Sequence, residues 1–106
     1  MNIEINGVNL EITPEIKDMV DKKLARKLDQ LLVNFNEKLK TSFLHIEKDR
    51  YKHFKIKFDI SLPGKNGHLF TKCNNILLVS AVVGIREQLE KQIKKYKQDK
   101  INYSLG

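Results

Sequence analysis

The sequence predicts a two-layer α+β sandwich, in which a four-stranded sheet carries two helices on one face. Residues 54–62 alternate strictly between apolar and polar side chains, which is typical of a strand with one buried and one solvated face. Residues 13–31 and 75–97 repeat apolar side chains at steps of three and four, which is typical of amphipathic helices. A sheet with one apolar face needs cover, and two such helices can supply it.

The first two elements are a strand and a helix. Ile3 and Ile5 alternate with polar neighbours, and this strand pattern stops at Asn6-Gly7. The segment Thr13-Pro14-Glu15 begins a helix, because threonine can cap free N–H groups, proline suits the first helical position and an acidic residue complements the helix dipole. The apolar stripe of this helix comprises Ile16, Met19, Val20, Leu24, Leu28 and Leu31.

Three strands and a second helix follow. The strands are predicted at residues 41–48, 54–62 and 68–73, with a hairpin turn at Pro63-Gly64-Lys65-Asn66-Gly67. Asn74 or Asn75 caps the last helix, which we expect to end at Lys97. The element order is therefore β-α-β-β-β-α. We expect one domain at residues 1–97 and a short, loose polar tail at residues 98–106.

Composition restricts the class of protein. The chain has 106 residues, and 20 Lys and Arg against 13 Asp and Glu give a net charge of +7. A small basic domain suggests a polyanionic partner, nucleic acid before a membrane surface, although positive charge can also serve solubility alone. Cys73 is the single cysteine and suits a reducing compartment. The start does not resemble a signal peptide and no apolar run could cross a bilayer, so we expect a cytoplasmic protein without membrane contact.

The basic residues form clusters that could bind phosphates. RNA presents closely spaced phosphates, and the deep, narrow major groove of A-form RNA favours recognition by shape and phosphate contacts. Any single lysine could be a solvated surface charge, but the clusters together favour RNA binding. The candidate RNA-binding residues on the two helices are Lys22, Lys23, Arg26, Lys27, Arg86, Lys91, Lys94, Lys95 and Lys97. A third set comprises Lys48, Arg50, Lys52, Lys55 and Lys57.

Catalysis has little support in the sequence. We find no nucleophile-elbow, zinc-protease, phosphate-loop or paired-cysteine motif. The spacing of His45, His53, His68 and Cys73 matches no structural zinc pattern. We therefore expect no enzyme activity, no metal site and no cofactor.

Several short segments carry a resemblance to a known family. They are Ile3-Glu4-Ile5-Asn6-Gly7, Leu10-Glu11-Ile12-Thr13-Pro14, Leu62-Pro63-Gly64 and, most specifically, Leu89-Glu90-Lys91-Gln92-Ile93-Lys94-Lys95-Tyr96-Lys97. With these segments the chain resembles the short ribosome hibernation promoting factors, also called ribosome-associated inhibitor proteins. The resemblance implies a fold similar to double-stranded-RNA-binding domains. It also implies binding to the small ribosomal subunit where tRNA and mRNA would sit, and silencing of translation under stress.

The chain also departs from the family pattern. Relatives often carry an acidic run before the last helix, where this chain has Lys72-Cys73-Asn74-Asn75. Gly84 lies in the interior of the predicted helix, where a glycine costs about 1 kcal/mol relative to alanine.

The leading hypothesis is a non-catalytic translation inhibitor whose partners are the small subunit and its rRNA. The alternatives are a protein-interaction module that modulates a transcription factor, and a generic RNA-binding chaperone. Longer relatives carry a second domain that joins two ribosomes, and residues 98–106 are too few to fold alone. We therefore expect a monomer off the ribosome, with a separate ribosome-pairing factor as a further partner wherever ribosomes pair.

Overall fold

The computed structural model describes residues 2–33, 35, 41–64 and 67–105. Its strands are β1 (Ile3–Val8), β2 (Thr41–Lys48), β3 (Phe54–Ser61) and β4 (His68–Asn75). The N-terminal helix, residues 14–31, has three parts: α1 (Pro14–Val20), a π-helical turn (Asp21–Ala25) and α2 (Arg26–Leu31). The C-terminal helix is α3 (Leu78–Leu105).

The four strands form one sheet in the order β1-β2-β3-β4. β1 runs parallel to β2, and the other two neighbouring pairs are antiparallel. Parallel neighbours need a crossover connection, which the N-terminal helix provides here. The register aligns Ile5, Leu44, Phe58 and Thr71 in one row across the sheet, all on the same face. The observed architecture confirms the predicted α+β class.

Both helices pack on this face of the sheet. The alternation of β3 leaves Ile56, Phe58 and Ile60 with no exposed surface, while Lys55 and Lys57 are exposed on the opposite face. The core combines side chains of both helices with those of the sheet. It includes Val20, Leu24 and Leu28 of the N-terminal helix, Ala81, Val82, Ile85, Leu89 and Ile93 of α3, and Leu44, Ile46, Ile56, Phe58 and Ile60 of the sheet.

The helix ends differ from the sequence-based expectation. α3 begins at Leu78 instead of residue 75, because Asn75 still belongs to β4; its Oδ1 accepts a hydrogen bond from the Leu77 N–H at 3.0 Å. The helix also continues past Lys97 to Leu105, so residues 98–105 are helical, whereas the sequence suggested a loose tail there. The division into a domain and a tail stays a prediction.

The turns also differ in detail. β1 extends through the predicted stop at Asn6-Gly7 to Val8. In the predicted hairpin, Gly64 adopts a φ of 95° and the Leu62 N–H donates to the Gly67 carbonyl at 2.8 Å. Lys65 and Asn66 lie outside the described residues. In the part of the chain that the structure describes, no helix is both long and apolar enough to span a membrane.

Candidate nucleic-acid interface

The N-terminal helix and α3 lie side by side, and polar contacts join them. Glu90 Oε1 lies 3.7 Å from Lys27 Nζ across the gap and 3.4 Å from Lys94 Nζ within α3. One turn earlier, Arg86 Nη1 donates to the Lys23 carbonyl at 3.4 Å. These contacts place Arg86, Glu90 and Lys94 on the flank of α3 that faces the N-terminal helix.

This arrangement brings four of the nine predicted RNA-binding residues together, and two more, Lys22 and Arg26, lie on the same stretch of the N-terminal helix. Two of the cations pair with carboxylates of their own helix: Lys22 Nζ lies 2.9 Å from Asp18 Oδ2, and Arg26 Nε lies 3.6 Å from Asp21 Oδ2. Among the described residues, these six cations of the two helices have three carboxylate partners, Asp18, Asp21 and Glu90, so positive charge is in excess. We call this set the inter-helix surface: Lys22, Lys23, Arg26, Lys27, Arg86 and Lys94.

Glu90 is the acidic centre of the inter-helix surface. The charge of Lys27, followed by the hydrogen bond from Lys94, lowers the pKa of Glu90 below its ordinary value. The side chain is therefore a carboxylate at neutral pH, and it holds two ammonium groups from different helices near each other. The sequence did not reveal this role, because a glutamate among lysines in a helix looks like an ordinary ion-pair partner of the lysine four residues away.

The π-helical turn lies in the middle of the inter-helix surface. The Arg26 N–H donates to the Asp21 carbonyl, five residues back, so this turn is wider than an α-helical one. Lys22 and Lys23 lie in the widened turn, and the Lys23 carbonyl accepts the contact from Arg86. Such turns often occur at functional sites, although they are rare in helices generally.

Lys91 and Lys95 lie on the other flank of α3. Gln88 Nε2 donates to the Lys72 carbonyl and Gln92 Nε2 donates to the Phe70 carbonyl, each at 3.0 Å. These bonds set one flank of α3 against the free edge of β4. Residues three apart are neighbours on a helix surface, so Lys91 follows Gln88 and Lys95 follows Gln92 on this flank. Within the described residues, neither lysine forms an ion pair.

Lys97 has a structural partner. Its Nζ donates to the Leu31 carbonyl at the end of α2, where helix carbonyls lack partners along the helix. The neighbouring Tyr96 hydroxyl donates to the Pro63 carbonyl beside the β3–β4 connection. Lys97 of α3 therefore caps the C-terminal end of α2 and links the two helices.

The third predicted basic set lies on β2, β3 and the turn between them. Lys48 Nζ lies 5.7 Å from the centre of the Phe54 ring, and the Arg50 guanidinium lies 5.2 Å from that of Tyr51. Both contacts are cation–π pairs near the β2–β3 turn. Asp49 Oδ1 orders this turn by accepting from the N–H groups of Tyr51 and His53. These hydrogen bonds, that from His53 first, lower the pKa of Asp49.

Metal-ligating side chains do not gather in the described part of the chain. There, no group of three or more His, Cys, Asp and Glu residues is arranged to hold a metal ion. The arrangement instead defines a class of protein: a small α+β domain with a basic surface spread across two packed helices, which suits a polyanion such as RNA.

Comparison with known proteins assigns the family. Residues 3–101 match the family model described as Sigma 54 modulation protein / S30EA ribosomal protein. A ribosome hibernation promotion factor of Staphylococcus aureus (strain COL) is 30% identical over 97 residues, which are 92% of this chain and 48% of that protein. The corresponding factor of Lactococcus lactis subsp. cremoris (strain MG1363) is also 30% identical over 97 residues, covering 92% of this chain and 50% of that protein.

A solved structure agrees with this assignment. The N-terminal domain of Thermus thermophilus Protein Y superposes with a TM-score of 0.74 at 30% identity, covering 91% of this chain and 99% of that domain. The chain belongs to the Sigma 54 modulation protein / S30EA ribosomal protein family, which confirms the resemblance seen in the sequence. It spans about half the length of the curated relatives it matches.

Proposed function

We propose that this domain inhibits translation by docking on the small ribosomal subunit, at the sites that tRNA and mRNA use, under stress. The family assignment supports a ribosomal target. The observation that carries the proposal is the inter-helix surface, where contacts between two helices from opposite ends of the chain bring Lys23, Lys27, Arg86 and Lys94 together. Cations spread in this way can each neutralise a phosphate and release a counterion.

The proposed mechanism is steric. The domain occupies space that tRNA and mRNA need, and it performs no chemistry on the RNA. Excess initiation components should therefore relieve inhibition of a cell-free translation system by the purified protein. RNA cleavage products, or inhibition that persists after the protein is washed away, would contradict this mechanism.

Subunit binding tests the surface. We would measure sedimentation with purified small subunits for the wild type and for the double variant Lys23→Glu/Lys94→Glu, which we expect to bind at least tenfold more weakly. The matched control is Arg50→Glu/Lys52→Glu, which makes the same charge change at the β2–β3 turn and should bind like the wild type. Equal loss in both variants would mean that net charge, and not the inter-helix surface, determines binding.

Competition separates this function from a generic RNA chaperone. A domain adapted to the small subunit should stay bound when free duplex RNA is added in moderate excess. Displacement at stoichiometric duplex RNA would favour the chaperone instead. The same proposal covers location and assembly. The domain acts in the cytoplasm and is a monomer off the ribosome. A separate factor pairs ribosomes where pairing occurs.

A further inference from the structure

A second basic surface surrounds the free edge of β4. Phe70 and Lys72 alternate with buried residues, so both project from the open face of the sheet, which the helices do not cover. Phe70 is 50% exposed, although phenylalanine is commonly buried. We call the following set the edge surface: Lys57, Phe70, Lys72, Lys91 and Lys95.

The sheet contributes two facing cations to the edge surface. Lys57 of β3 and Lys72 of β4 are direct cross-strand partners, which places their Cβ atoms about 5 Å apart. Like charges in this arrangement destabilise a sheet, and neither lysine forms an ion pair within the described residues. A bound anion between the two ammonium groups would remove the repulsion.

Helix α3 contributes two further cations at the edge of β4. The Phe70 carbonyl accepts from Gln92 and the Lys72 carbonyl accepts from Gln88, so this flank of α3 lies directly against β4. Lys95 and Lys91 follow these glutamines by three residues and are exposed. A half-exposed ring on the open face therefore has a pair of lysines beside it on the sheet, and two lysines of α3 lie at the adjoining edge of β4.

An aromatic ring flanked by cations suits one kind of polyanion. Bases of single-stranded RNA stack on exposed rings while lysines contact the backbone phosphates on either side. In duplex RNA the bases are already stacked on each other, so a ring on a flat sheet has no base to receive. Asp59, opposite Phe70 on β3, adds an acceptor that could bind the exocyclic amino group of a stacked base.

We propose that the edge surface binds a segment of single-stranded RNA, with one base stacked on Phe70 and phosphates held by Lys57, Lys72 and Lys95. This site is separate from the inter-helix surface and goes beyond the docking function proposed above. It also gives a role to Lys95, which the inter-helix surface leaves out.

A fluorescence reporter tests the stacking. The sequence contains no tryptophan, so Phe70→Trp introduces a single one at the proposed site. We expect oligo(A) of about eight nucleotides to quench its emission, and a duplex RNA of the same length to do so at least fivefold less efficiently. The control is Ile76→Trp, at a residue that is 63% exposed and beyond the end of β4, where we expect no quenching. Equal quenching at both positions, or by both RNAs, would overturn the proposal.

Affinity measurements test the residues. Phe70→Ala and Phe70→Leu should each weaken oligo(A) binding by about tenfold, while Phe70→Tyr should keep it, because stacking needs a ring. Lys72→Gln/Lys95→Gln should weaken binding more than Lys23→Gln/Lys94→Gln, which makes the same charge change on the inter-helix surface. Full affinity in Phe70→Leu, or the reverse order of the two lysine variants, would overturn the proposal.

Two further results are informative. If the Phe70→Trp emission changed with protein concentration and not with RNA, the edge surface would be an interface between copies of the chain and the RNA proposal would fail. Small-subunit binding does not enter these assays. Failure of the edge surface would therefore leave the proposed docking through the inter-helix surface standing, and the reverse also holds.

Discussion

Gly84 of α3 lies directly over Cys73 of β4, so closely that a Cβ at Gly84 would be 2.6 Å from the Cys73 Sγ. Contacts this short do not occur between well-packed atoms. The glycine, which is unfavourable in a helix interior, therefore allows α3 to approach the sheet where the thiol lies beneath it. This contact explains a residue that looked unfavourable in the sequence alone.

The first prediction concerns this contact. Gly84→Ala should lower the free energy of unfolding by about 1–3 kcal/mol, because the added methyl group overpacks the space above Cys73. Denaturant unfolding would measure the change. In a Cys73→Ala background the nearest atom is the residue 73 Cβ at 3.7 Å, an ordinary contact distance. There Gly84→Ala should be neutral or stabilising, and an equal loss in both backgrounds would contradict the explanation.

The second prediction concerns Glu90. Glu90→Gln should tighten binding to small subunits severalfold at low salt, because it removes the carboxylate that lowers the effective charge of Lys27 and Lys94. Sedimentation at several protein concentrations would measure the affinity. Glu87→Gln, an equal charge change one turn away where the structure shows no ion pair among the described residues, is the control and should have a smaller effect.

The third prediction separates structure from binding at Lys97. Lys97→Gln should lower the free energy of unfolding by about 1 kcal/mol, since the Leu31 carbonyl at the end of α2 loses its charged donor. Subunit affinity should change less than it does in Lys94→Gln. If Lys97→Gln weakened binding strongly without changing stability, Lys97 would be an RNA ligand, as the sequence first predicted.

The fourth prediction concerns salt. Subunit affinity should fall steeply between low and moderate salt, because several phosphates exchange their counterions for protein cations. The slope of log affinity against log salt should decrease by about one for each phosphate contact removed, so by about two in Lys23→Gln/Lys94→Gln. A flat salt dependence in the wild type would contradict an electrostatic interface.

The fifth prediction concerns association. The apolar face of the sheet is covered by both helices, so the 106-residue chain should be monomeric in solution. Light scattering across a range of concentrations would measure its mass. A stable homodimer, or ribosome dimers in a sucrose gradient containing only ribosomes and this chain, would contradict the prediction.

Local periodicity was enough to predict most of the fold. The alternation around Phe58 shows which face of β3 is buried, and the apolar stripe from Leu89 to Ile93 shows which face of α3 is buried. Because the sheet has one apolar face, both helices are expected to pack on that face.

The π-helical turn was not predictable in this way. The buried residues Val20, Leu24, Leu28 and Leu32 repeat every four residues, which exceeds the α-helical period, and the wider turn keeps them facing the core. Leu31, expected in the stripe, is therefore only partly buried.

The site was predictable as a set of residues but not as a surface. The stripe of α3 shows which residues face the core, but it does not show which flank lies beside the N-terminal helix and which beside β4. That choice depends on contacts far apart in sequence, such as those of Arg86 with Lys23 and of Gln92 with Phe70. The nine predicted residues therefore divide into an inter-helix group, two lysines at the β4 edge and one helix cap.

The glutamines of α3 also affect how this protein could misassemble. An exposed sheet edge is a template on which another chain can add a strand, and repeated addition leads to fibrils. At β4 the outward carbonyls of Phe70 and Lys72 are already occupied, so an incoming strand must first displace two side chains. Among the described residues, the edge of β4 is therefore protected against the addition of another strand.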